Sequence, residues 1–155
     1  MPTRVHEEIQ QRKPFARMTE EAAVAIKRTA AVLDHSMGEA LRTHGITPTQ
    51  YNVLRILQGS SATGLCGRDI GERLISQVPD VSRLLNRMAE MALITRERSD
   101  DDRRHVTVRI ASRGVELLRE VGPALHVLER RFFEGMDEPT VAAMVAGLDN
   151  VRNNR

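Results

Sequence analysis

Apolar positions recur at steps of three and four over most of this chain, and at steps of two over one short stretch. Ala22, Ile26, Ala30, Leu33, Met37 and Leu41 follow the longer spacing, which predicts one long amphipathic helix. Thr19 stands where an N-cap belongs, Glu20 and Glu21 fill the first turn, and Gly45 supplies a stop. Thr47-Pro48-Thr49-Gln50 signals a second helix: Thr47 caps, Pro48 takes the first helical position, and Gln50 completes a capping box. Tyr51, Leu54 and Leu57 face inward along it, and the Gly59–Gly64 run ends it in a loop. A third helix is predicted from Cys66 to Ile75, with Ile70 and Leu74 on one face. After a turn at Ser76-Gln77-Val78, a fourth runs from Pro79 to Met91 with Val81, Leu84, Leu85 and Met88 inward. Two close helices joined by a tight turn make a helix-turn-helix.

The period then changes. Val106, Val108 and Ile110 alternate with His105, Thr107 and Arg109, the mark of a strand. Ile94 to Arg98 is its partner, and the polar run from Ser99 to Arg104 is the turn between them. A helix-turn-helix followed by a charged hairpin is a winged helix. Beyond it, Leu118, Val121, Leu125, Leu128 and Phe132 form a coiled-coil-like seam, interrupted by Pro123, where a kink is predicted. Pro139 opens a last helix with Val141, Val145, Leu148 and Val151 on one stripe. Terminal helices have few partners in their own chain, so the expected cover is a second subunit. That expectation assigns Ile26, Leu33, Leu118, Val121, Leu125, Leu128, Phe132, Val145 and Leu148 to a homodimer interface; packing within one subunit is the alternative. The fold class is mainly α: a winged helix-turn-helix with a two-stranded β wing and N- and C-terminal dimerisation helices. Residues 1–17 read as a loose N-terminal arm. Residues 18–155 read as one domain, with a winged helix at 47–113 between dimerisation helices at 18–45 and 115–155.

Composition narrows the class. The 155 residues are 41% hydrophobic and 28% charged, as in ordinary globular chains. No run of about 18 apolar residues predicts a membrane span, and the first 17 residues hold no apolar core of a secretory signal. The single cysteine, Cys66, suits a reducing cytosol. The expected location is therefore cytoplasmic, with no membrane partner. Net charge is only +2, but 21 of the 23 basic residues are arginine, leaving Lys13 and Lys27. Arginine's planar fork matches phosphate and guanine edges.

The fourth helix carries Asp80, Ser82, Arg83, Asn86 and Arg87 opposite its apolar stripe. Ser82 and Asn86 are one turn apart, as are Arg83 and Arg87, so these four project together. Arginine can bind guanine with two hydrogen bonds and asparagine can do the same with adenine, in the groove that admits a helix. In the hairpin, Arg98, Arg103, Arg104 and His105 cluster, and an arginine at such a tip can enter a minor groove. Asp100, Asp101 and Asp102 oppose phosphate unless paired; Asp102 is expected to pair with an arginine and structure the wing. A solvated charged helix face and a self-neutralising tip are the plain alternatives.

Residues 65–114 resemble the multiple-antibiotic-resistance regulator (MarR) family. The resemblance rests on Leu65, Ile70, Glu72, Arg73 and Leu74, then Val81-Ser82-Arg83-Leu84-Leu85-Asn86-Arg87-Met88, then Asp102-Arg103-Arg104 as an Asp-x-Arg wing signature, and Gly114. The flanking helices extend the likeness to most of the chain from Met18 onward. It implies a dimer that places a recognition helix in the major groove and a wing in the minor groove of a palindromic operator. Ser82, Arg83, Asn86 and Arg87 would be groove readers or phosphate binders, Arg103 the wing tip, and Asp102 with Arg104 a structural and backbone-contacting pair. Such regulators usually repress a neighbouring gene and release DNA when a small aromatic or phenolic effector binds between two lobes. Three positions depart from the pattern. Asn86 stands where aspartate is frequent, Ala92 where glycine precedes the wing, and Ala111 where threonine is common, leaving Ser112 to cap.

Nothing in the chain points to an enzyme: there is no phosphate-binding glycine loop, nucleophile elbow or histidine–carboxylate motif. His35, His44 and His126 lack metal-ligand spacing, so no metal and no cofactor is expected. Cys66 sits at a helix start and reads as a cap residue. Two other readings stay open. One is a winged helix used for protein–protein docking, which the shortage of aromatics disfavours. The other is a thiol-based oxidation sensor using Cys66.

Overall fold

The computed structural model describes residues 4–60, 63–98 and 106–154. Its elements are α1 (Val5–Glu8), α2 (Met18–Arg42), α3 (Pro48–Gln58), β1 (Leu65–Cys66), α4 (Gly67–Arg73), α5 (Val81–Glu90), β2 (Ile94–Arg98), β3 (Val106–Ile110), α6 (Ser112–Phe132) and α7 (Glu138–Asn153). The chain divides into two compact units, residues 1–121 and 122–155.

In the first unit the N-terminal arm is not wholly loose. It carries the single turn of α1, fastened to α2 by an ion pair between Glu8 and Arg28 at 3.2 Å. Thr19 does not cap α2; the Arg17 carbonyl starts the helix by accepting from Glu20 and Glu21 N–H. Gly45 is the stop the pattern predicts. Its N–H reaches the Arg42 carbonyl at 3.1 Å and Ile46 N–H reaches Leu41 at 3.4 Å, with Gly45 at φ 73°. That is a Schellman ending, which needs a left-handed residue and buries the apolar pair Leu41 and Ile46. At α3 the capping box forms as expected: Gln50 N–H donates to Thr47 Oγ1 at 3.2 Å, and Thr47 N–H to Gln50 Oε1 at 2.9 Å. The buried Gln50 also donates from Nε2 to Met91 Sδ at 3.6 Å. A neutral amide is tolerated there because both of its ends are matched.

The core of this unit joins Val53, Leu54 and Leu57 of α3 with Ile70 of α4, Leu85 and Met88 of α5, Ile94 and Val108 of the sheet, and Leu117 of α6. Each such side chain gains about 1.5–3 kcal/mol on leaving water. The stretch between α4 and α5 is longer than a tight turn, running from Leu74 to Asp80. It is pinned by Ile75 N–H on Asn52 Oδ1 at 3.0 Å.

The sheet has three strands, not the expected two, in the antiparallel order β1-β3-β2. Leu65 and Cys66 pair with Val108 and Thr107. Gly64 allows this approach: at φ 80° it has no β-carbon, and one would lie 2.7 Å from the Val108 carbonyl oxygen. β2 and β3 are matched from Ile94↔Ile110 to Arg98↔Val106. Alternation therefore puts Ile94, Arg96 and Arg98 on one face, and Thr95 and Glu97 on the other.

α6 passes through Pro123 as one helix, so the proline does not interrupt it. Leu118, Val121 and Leu125 are 7%, 1% and 4% exposed. Such low exposure in the single chain fits the alternative of packing within one subunit. Ser112 is the first residue of α6 and not its cap; Val115 N–H binds the Ala111 carbonyl at 3.0 Å.

In the second unit, α7 is capped by Asp137, whose Oδ1 accepts from Thr140 N–H at 3.0 Å. Met144, Val145 and Val151 are exposed along it, and Leu148 is half-buried. Among the described residues no helix is long and apolar enough to cross a membrane.

Candidate nucleic-acid interface

Helix α5 is built to show one face. Leu85 and Met88 are buried, Val81 and Leu84 are half-buried, and Ser82, Arg83, Asn86 and Arg87 are exposed. The four expected contact residues thus stand together on the open side, one turn apart in pairs. Among the described residues, neither arginine of this face has an ion-pair partner. Two unpaired guanidinium groups on a rigid helix favour an anionic ligand.

Asp80, expected among the contacts, also has a task within the fold. It is the N-cap of α5, and its Oδ1 accepts from Arg83 N–H at 2.8 Å. An aspartate there satisfies an orphan N–H and complements the helix dipole. It acts on the interface by setting the start of the helix. The preceding helix shows the same device with a softer atom. Cys66 Sγ accepts from Asp69 N–H at 3.4 Å, so the cysteine caps α4.

The far end of α5 turns directly into the sheet. Ala92 adopts φ 56°, the left-handed region that glycine usually fills. Its N–H binds the Ala89 carbonyl at 2.9 Å, and Leu93 N–H binds Met88 at 3.0 Å. This second Schellman ending delivers the chain into β2 beside the exposed helix face. Arg98 is exposed at the end of β2. Asp102, Arg103, Arg104 and His105 lie outside the described residues.

On the outer face of the sheet Arg109 is ion-paired with Glu97. On α4, Arg68 Nε binds Glu72 Oε1 at 2.9 Å. That hydrogen bond, with the carboxylate's charge, raises the guanidinium pKa further. One cation was missed in the sequence. Arg96 shares the face of Ile94, opposite Val108, and its Nε is buried with no hydrogen-bond partner among the described residues. The period-two pattern places position 96 inward, a signal overshadowed by the run of arginines in the turn that follows.

Comparison with known proteins gives a consistent answer. A family profile described as MarR family matches residues 44–105. The chain is 24% identical over 100 residues to the HTH-type transcriptional regulator MhqR of Bacillus subtilis (strain 168), covering 64% of this chain and 68% of MhqR. Its fold matches MepR of S. aureus, solved as a DNA complex, with a TM-score of 0.77 at 20% identity over 86% of this chain and 97% of MepR. It also matches the transcriptional repressor CouR, from Rhodococcus jostii RHA1, bound to a 23-mer DNA duplex. There the TM-score is 0.78 at 20% identity, covering 92% of this chain and 99% of CouR.

Proposed function

We propose that this chain is a transcriptional regulator of the MarR type, to whose family profile residues 44–105 are similar, and that it is a dimeric repressor of a palindromic operator. In that reading it is a winged-helix, DNA-binding regulator and not an enzyme, supported by the family profile and by the similarity to MhqR. The finer reading rests on one observation above all. The capped, amphipathic α5 holds Ser82, Arg83, Asn86 and Arg87 outward, with the root of a wing at its end. In that reading α5 enters the major groove, where Arg83 and Arg87 meet guanine edges or phosphates and Asn86 an adenine. The wing, from Arg98 through Arg103, Arg104 and His105, enters the minor groove beside it, structured by Asp102. Two copies reading one operator would place half-sites about 10 bp apart. The cell compartment is the cytoplasm. A small aromatic or phenolic effector releases the DNA; in its favour, CouR has been solved with p-coumaroyl-CoA.

The test is binding to the DNA upstream of the protein's own gene, against random duplex, at two salt concentrations. A preference for the upstream fragment that survives the higher salt is expected. In a folded Arg83→Ala, Arg87→Ala double variant that preference should fall by at least tenfold, since one bidentate base contact contributes about 1–3 kcal/mol. Undiminished preference in the double variant would remove base reading from this face. Addition of a phenolic acid series to the bound complex then tests effector release.

A further inference from the structure

The gap between α5 and the sheet holds a guanidinium, that of Arg96, whose Nε has no hydrogen-bond partner among the described residues. Residues of α4, the following loop, α5 and the sheet line a cavity of about 610 Å³ there. Leu85 and Val108 belong to its apolar lining, while Gln77, Ser82 and Arg96 bring polar groups to it from three different elements. Arg96 Nε is out of contact with solvent and unmatched among the described residues. Native structures rarely leave such a donor without an acceptor. Two carboxylates of the neighbouring elements are already engaged. Glu72, also on the lining, is bound by Arg68 at 2.9 Å, and Glu97 alternates onto the opposite face and takes Arg109. Among the described residues Arg96 has no ion-pair partner, and the neutral side chains of Gln77 and Ser82 share its lining.

The position of the gap identifies its occupant. If α5 fills a major groove and the wing fills the adjacent minor groove, one sugar–phosphate strand separates those grooves. That strand has to cross between α5 and the wing root. We propose that Arg96 binds a phosphate of this strand, with Ser82 and Gln77 as neutral donors beside it, so that α5 and the wing are locked to the same backbone. The planar guanidinium suits a phosphate's paired oxygens. This contact rests on the DNA-binding reading given above. It moves Ser82 from base reading to backbone positioning, a role that fixes register and carries no sequence information.

Full-length wild type, Arg96→Gln and Arg96→Lys are titrated with a duplex that the wild type recovers from a random pool. Salt is varied, and single neutral methylphosphonates are stepped along each strand. In Arg96→Gln the slope of log K against log salt should flatten by about 0.9 for each copy bound. One methylphosphonate position should cost the wild type about tenfold and cost Arg96→Gln nothing further. Arg96→Lys should keep the slope but bind several-fold more weakly, because a point charge replaces the fork. A folded Arg96→Gln with wild-type slope and wild-type methylphosphonate profile overturns the proposal. If Arg96→Gln does not fold, Arg96→Lys decides: a smaller penalty than wild type at one phosphate supports the contact, and an equal penalty overturns it. An unchanged slope with loss of thermal stabilisation by sodium benzoate assigns the gap to a small organic anion instead. If the wild type binds no duplex at any salt, the DNA-binding reading itself fails and takes this contact with it. If binding is intact and only the Arg96 comparisons are flat, that reading stands and this contact alone falls.

Discussion

Ala92 does with an ordinary side chain what glycine does at Gly45. Both close a helix in the left-handed region, at φ 56° and φ 73°. An L-residue there carries a penalty of roughly 1–2 kcal/mol. Ala92→Gly should therefore stabilise the protein by about 1 kcal/mol and raise Tm by a few degrees. Calorimetry reads this directly, and an equal or lower Tm would show that the turn is not strained. The sequence marks position 92 as unusual only through the resemblance, since alanine by itself gives no turn signal. Gly45 needed no such help. Arg96 is the opposite case, a strongly charged residue whose role is hidden because its neighbours in the chain, Glu97 and Arg98, are equally charged. Only the pairing with Val108 shows which way it faces.

Four helices, α3, α4, α5 and α7, start on a side-chain cap. Asp80 starts α5, and the two roles open to it, cap and DNA contact, make different demands. Asp80→Ala should cost about 1 kcal/mol of stability, while Asp80→Ser, which caps without charge, should cost little. Equal losses in both variants, measured by urea unfolding, would argue against the cap. The Asp137 cap of α7 adds a dependence on acid. The Thr140 side chain, then its backbone N–H, holds this carboxyl below its ordinary pKa. A lowered folded pKa means the cap contributes fully above the unfolded value, about 3.9, and fades as pH falls through the folded value. Asp137→Asn should flatten the loss of α7 helicity in that acid window without altering it at neutral pH. Circular dichroism titrations that superimpose for both proteins would deny the linkage. The long helices were legible from their apolar period even though Thr19 and Ser112 do not cap them; at α3 period and capping box agree. The four residues of α1 and the two of β1 were not, since neither is long enough to display a period.

At the scale of the whole molecule, the apolar stripes announced that something covers them but not what. Leu118 and Val121 of the first unit are buried in the single chain; on α7, Val145 is 49% exposed and Val151 59%. An exposed apolar row on a terminal helix fits a second copy, with Ile26, Leu33, Leu128, Phe132 and Leu148 as further expected members. Val145→Glu should shift the protein from dimer to monomer in sedimentation velocity. A dimer that persists would move the interface off this face. The winged-helix architecture and the outward residues of α5 were readable in advance, because helix-turn-helix spacing and period-two strands are local patterns. The gap around Arg96 was not, because it exists only where four separate elements meet.

The short strand β1 also governs how the wing root can open. Leu65 pairs with Val108 across the whole length of α4 and α5 in the chain. β3 thereby has a neighbour on each side, and fraying of the β2–β3 hairpin alone cannot free both of its edges. In hydrogen exchange, the β3 amides turned toward β1 should lose their protection together with α4 and α5, as one cooperative unit. On that expectation the wing root and α5 open as one unit, and a ligand that loosens one would loosen the other.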